Sequence, residues 1–145
     1  MKLQLILLSL GFILIDQTCS KEIVLPNPEL KKIFGRWEWI ESSGGFAGKI
    51  TTPVKAGITQ EIEFSKEGIW QKYKNGTLAE RKKYSVAEGN SILKKETAYI
   101  ISFSSVDSTV IQSVEKQSVR FGGNDTLFLN KECFDCFAHV FVRIK

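Results

Sequence analysis

From Ile58 to Phe64 the chain alternates: Ile58, Gln60, Ile62 and Phe64 fall on one face of an extended segment, and Thr59, Glu61 and Glu63 on the other. That is the pattern of a half-buried strand with its acids turned to solvent, and turn signals follow it at short intervals. Ser65-Lys66-Glu67-Gly68 leads into Ile69–Lys74, and Asn75-Gly76, a strong two-residue hairpin signal, leads back into Thr77–Val86. Glu88-Gly89-Asn90 predicts the next turn, with strands around Ser91–Lys94, Tyr99–Ser104 and Thr109–Phe121 beyond it. Gly122-Gly123-Asn124-Asp125 then turns the chain into Thr126–Asn130 and Phe137–Ile144. Eight or nine sequential strands, with no helix long enough for a crossover, predict an all-β, antiparallel, up-and-down barrel. Closure removes the exposed sheet edges that invite aggregation. A two-sheet sandwich is the alternative.

The N-terminus reads differently. Lys2 precedes an uncharged apolar run, Leu3 to Ile15, that is too short to span a bilayer as a stable helix and reads as the core of a signal peptide over residues 1–18. The chain is therefore expected to be exported. Removing that segment from 145 residues leaves about 125, enough for one domain and not for two. The formal net charge is +4, but acids are mixed among the bases except at Arg81-Lys82-Lys83 and Lys94-Lys95, so no basic stripe for nucleic acid is present.

Three cysteines in an exported chain leave one to explain. The start Cys19-Ser20-Lys21-Glu22 resembles the Cys-x-Lys-acidic surface-export signal of Bacteroidetes lipoproteins, which implies a lipid on Cys19 and a tether over residues 19–29. Asp16 and Thr18 depart from the usual lipidation pattern, and a soluble secreted protein is the alternative. An outer-membrane or cell-surface location follows from the first reading. Cys133 and Cys136 are then left as a pair, and a local disulfide across the last turn suits an oxidising compartment. A redox dithiol would call for a helix N-terminus, and zinc on Cys133, Cys136 and His139 would lack a fourth ligand.

Asn27-Pro28-Glu29 begins a helical turn, with Asn27 as cap and Pro28 in the first position, and Gly35 ends it. Directly after comes Gly35-Arg36-Trp37. Gly-x-Trp at the start of a first strand resembles the signature of lipocalins and lipocalin-like domains. Trp37-Glu38-Trp39, Ser42-Ser43-Gly44-Gly45-Phe46-Ala47-Gly48, Thr52-Pro53 and the tail from Asp125 to Arg143 are similar to small lipocalin-like proteins of Bacteroidetes. The similarity covers residues 30–145, with Cys136 standing where a glycine is expected. It implies a calycin barrel whose closed end is sealed by Trp37 under a basic residue of the last strand, here Arg143. It also implies a mouth and cavity at the other end.

Over that mouth the connection Ser43–Gly57 is long for a meander, and Phe46 is an aromatic in a glycine-rich loop. Candidate cavity residues are Ile62, Phe64, Trp70, Tyr99, Ile101, Phe103 and Phe141, each of which is also a natural core residue. His139 is the only histidine, and no nucleophile elbow, zinc-protease helix or phosphate loop is present, so no enzyme, metal or cofactor is expected. The functional expectation is an envelope lipoprotein binding a small apolar or amphipathic molecule. A filled barrel serving as a structural or protein-interaction surface, with Phe46 in an exposed apolar patch, is the rival.

Overall fold

A computed structural model of the protein describes residues 21–107 and 114–145. The signal segment expected over residues 1–18, Cys19, and the beginning of the strand expected from Thr109 lie outside the described residues. Nine strands form: β1 Gly35–Gly44, β2 Lys49–Thr51, β3 Gln60–Phe64, β4 Ile69–Lys74, β5 Thr77–Asn90, β6 Thr97–Ser105, β7 Glu115–Gly122, β8 Thr126–Lys131 and β9 Phe137–Arg143. All neighbours are antiparallel. Because β9 pairs back onto β1, eight strands close into a barrel, while β2 is an extra strand on the upper part of β1.

Strand direction defines two ends. β1, β4, β6 and β8 run toward the mouth, and β3, β5, β7 and β9 return from it. The closed end is filled. Trp37, Ile62, Phe64, Ile101 and Leu127 are almost wholly removed from water there, and Phe64 meets Tyr84 edge-on at 5.0 Å between ring centres. The buried Tyr84 hydroxyl donates to the Ser65 carbonyl at 2.7 Å, and burial, with Glu67 adding to it, raises its pKa above the ordinary tyrosine range. On the outer face Arg36 meets Glu61 at 2.8 Å and lies over the Tyr73 ring, so the acids of β3 do face solvent.

The N-terminal segment closes this end. Ile23 donates its N–H to the Lys66 carbonyl in the β3–β4 turn, and a 3-10 helix, Pro28–Ile33, buries Leu30 and Ile33 beneath the barrel. Asn27 caps it by accepting from the Glu29 N–H, and its amide donates to the Tyr99 hydroxyl at 2.9 Å. Trp37 donates its indole N–H to Ile33 O at 2.8 Å. Arg143 lies across the Trp37 ring with its guanidinium carbon 4.1 Å from the centroid, and its fork donates to the carbonyls of Lys32, Phe34 and Asn124. The guanidinium therefore covers an indole and satisfies the carbonyls at the end of the short helix at once. Gly35, at φ +107°, fits this corner because a residue with a side chain would be strained in that backbone conformation.

Two sequence expectations are corrected. Glu88-Gly89-Asn90 is not a turn but the end of β5, paired with Thr97–Tyr99, and Ser91–Lys94 is not a strand. Gly89 suits this place in the sheet because the Ile100 side chain packs closely over it, 3.2 Å from where a Cβ would stand. The turn moves to residues 91–96, where Ser91 binds Glu96 and Lys95 through its backbone. The carboxylate of Glu132 accepts from both Ser91 Oγ and the Ile92 N–H. The long connection after β1 is also more ordered than expected, holding β2 and a helical turn, Pro53–Ala56, capped by Thr52.

Candidate functional site

Above the filled layer the inward positions change character. Continuing the strands toward the mouth at a period of 2 places Gln60, Lys72, Glu80, Lys82, Glu115, Gln117, Lys131 and His139 inside the barrel, where a nonpolar core would end, and Ser42 of β1 joins them. Together with Trp39, Ile62, Trp70, Phe103, Leu129 and Phe141 they surround a cavity of about 310 Å³. Its floor is apolar and its wall is charged.

A bulge in β1 sets part of this wall. The pairing with β9 slips between Trp39 and Glu41, so Trp39 faces Phe141 while Ser42, rather than Glu41, faces His139. Trp39 then donates its indole N–H to Ser42 Oγ at 2.8 Å, and Ser42 Oγ lies 2.6 Å from His139 Nδ1. An indole can only donate, so the serine hydrogen remains free to be given to Nδ1 of a neutral imidazole. Burial keeps that ring neutral, and the nearby Lys131 and Lys72 reinforce it against the opposite pull of Glu115. The His139 pKa is pushed down to about 4.

The charges form one chain across the wall. Lys72 meets Glu80 at 3.2 Å, Glu80 meets Lys82 at 3.1 Å, Lys82 meets Glu115 at 3.2 Å and Glu115 meets Lys131 at 3.2 Å. Gln117 adds a 3.0 Å bond to Glu115. Burial opposes ionisation of all the inner members, yet their partners outweigh it. Glu80 is held below the usual carboxylate range by Lys82 and Lys72, Glu115 by Gln117, Lys131 and Lys82, and Lys82 is held above the usual lysine value by Glu80 and Glu115. Three ammoniums face two carboxylates, and a lysine stands at each end of the chain.

Of the residues expected to line a cavity, Ile62, Trp70, Phe103 and Phe141 do so. Phe64 and Ile101 lie lower, in the filled layer. Tyr99 is half-buried toward the closed end, where it accepts from Asn27. Gly35, Trp37 and Arg143 are also at the closed end, as described above. Phe46, at the tip of the β1–β2 hairpin, is 98 % exposed and belongs to the rim. Phe134, in the β8–β9 turn, is exposed on the same end.

That turn holds a disulfide between Cys133 and Cys136, with Cα atoms 5.6 Å apart. Gly44 passes so close to it that a Cβ would strike the Cys136 carbonyl, so a side chain at position 44 would push the turn away from the first strand. Among the described residues no group of three or more His, Cys, Asp or Glu is arranged to hold a metal ion.

The residues that sequence reasoning missed are the charged ones. Lys72, Lys82 and Lys131 sit in strands where lysine normally marks solvent, and only extending the strand parity from Trp70, Tyr84 and Leu129 would have turned them inward. Ser42 carried no such signal, because the bulge that points it inward is visible only in the pairing. No protein-family model matches this sequence, and no curated protein or solved structure matches it either.

Proposed function

We propose that the protein is a lipocalin-like envelope lipoprotein whose barrel takes up a small amphipathic molecule through its mouth. The observation that carries this reading is the cavity of about 310 Å³, with apolar side chains beneath and a polar wall above, at the small end of the roughly 300–1,000 Å³ usual for ligand sites. Trp70 and Phe103, ring centres 5.1 Å apart, supply part of the apolar floor on which such a molecule would rest.

Native mass spectrometry of the protein, purified without detergent from its own envelope, tests the reading. A retained adduct of one small molecule is expected, lost when Trp70→Arg fills the floor. A clean apo mass that stays unchanged across a panel of small amphiphiles favours the filled-barrel alternative. The anchor has its own test. Cys19→Ser is expected to move the protein from the membrane to the soluble fraction, whereas a wild-type mature chain of intact mass beginning at Lys21 would rule out the lipid.

A further inference from the structure

We infer that the mouth selects an anionic ligand, binding a carboxylate between Lys72 and Lys131 over His139 while the apolar remainder rests on Trp70 and Phe103. This rests on the binding reading above and names the chemistry of its ligand.

The argument begins with how unevenly the charge chain is satisfied. Lys82, in its middle, is held by two carboxylates, whereas Lys72 and Lys131, at its ends, have one each. Those ends come from β4 and β8 and line the same cavity as His139, whose strand β9 pairs with β8, and both lysines bear electrostatically on its ring. His139 itself contributes no charge, Ser42 on β1 binds its Nδ1, and among the described residues Glu115 on β7 is the acid that bears on it. The wall therefore carries one surplus positive charge, placed where two lysines lack a second partner. A cationic ligand would be repelled from it, and a neutral one would leave both ammoniums as they are. A carboxylate cancels the surplus with one charge and offers two oxygens for two lysines. A phosphate dianion would bring more charge than the wall can balance. The apolar floor fixes the rest of the molecule as a short hydrocarbon or aromatic body.

Four probes with the same tail separate the possibilities: octanoate, octyl phosphate, octanol and octylammonium, titrated calorimetrically into the full mature protein. Octanoate is expected to bind at least about tenfold tighter than any of the others. Its affinity should fall by about tenfold in Lys72→Gln and in Lys131→Gln, with circular dichroism confirming the fold of each variant. A second readout is the His139 ring followed by NMR, whose titration midpoint should rise on octanoate binding because an anion beside it favours the imidazolium. Equal binding of octanol and octanoate would overturn the anion assignment and leave the cavity reading standing. Tighter binding of octyl phosphate would overturn the carboxylate, and tighter octylammonium the sign of the site. Failure of all four to bind would remove both readings. If octanoate binds and the lysine variants bind it unchanged with no movement of His139, the site lies elsewhere and the inference is wrong.

Discussion

Replacing Trp37 by alanine is expected to lower the unfolding free energy by about 3–5 kcal/mol, the cost of a large-to-small change at a buried aromatic. Trp37 is fully removed from water, its N–H is bonded to Ile33 O, and Phe121 packs with its ring centre 6.3 Å away, so its removal opens a cavity in the filled end of the barrel. Urea denaturation measures it, with the midpoint moving at constant slope. Arg143→Ala should cost about 2–3 kcal/mol, because it removes the cover of the indole and strands carbonyls at the end of the 3-10 helix. The two losses should not add. Once Trp37 is gone the guanidinium has no ring to cover, so the double variant should fall short of the sum by about 1 kcal/mol. Additivity within error would mean that Arg143 acts through its carbonyl bonds alone. Arg143→Lys should recover only part of the loss, since an ammonium cannot span three carbonyls from one plane.

Lowering the pH should destabilise the fold before the carboxylates titrate. His139 has a folded pKa of about 4 against an ordinary 6.5, so below pH 6.5 the unfolded chain takes up a proton that the folded ring declines. Stability is flat above that point and falls from about pH 6.5 to pH 4, by up to about 3 kcal/mol before allowance for the ring's partial exposure. His139→Gln keeps an acceptor for Ser42 and has nothing to protonate, so its unfolding temperature should stay level across that window. Glu80 and Glu115 behave in a lower range: their folded pKa values are depressed, so their contribution is present above the ordinary carboxylate pKa and is lost as the pH falls through the folded values. An acid slope in the glutamine variant equal to that of the wild type would assign the effect to another group.

The barrel was legible because its strands obey one rule and their turns announce themselves. Asn75-Gly76, the alternation through β3 and the short helical start before Trp37 each read correctly in isolation. Where the reading failed, local chemistry was overruled by contacts far away in sequence. Gly89 looks like a turn residue until Ile100 is set against it, and Ser91 looks like a strand residue until Glu132, from the other half of the chain, takes its hydroxyl. The site was harder still. By residue type a core-facing lysine reads like one on a solvated face; strand parity alone points Lys82 inward, and what lets it stay there is Glu80 and Glu115, the latter brought to it by strand pairing. The bulge after Trp39 leaves no mark in Ile40-Glu41-Ser42 at all, yet it decides that a serine and not a glutamate meets His139.

The hydrogen bond from Ile23 to Lys66 pins Ile23 at the sealed base of the barrel, the pole opposite the mouth. With a lipid on Cys19, a few residues upstream, the molecule would stand on its membrane like a cup on a short stem. Its opening would look outward, away from the leaflet that holds it. Its guests would then be scavenged from the surrounding water rather than drawn laterally from the bilayer beneath, and anything that unloads them would have to approach from outside, meeting Phe46 and Phe134 at the brim.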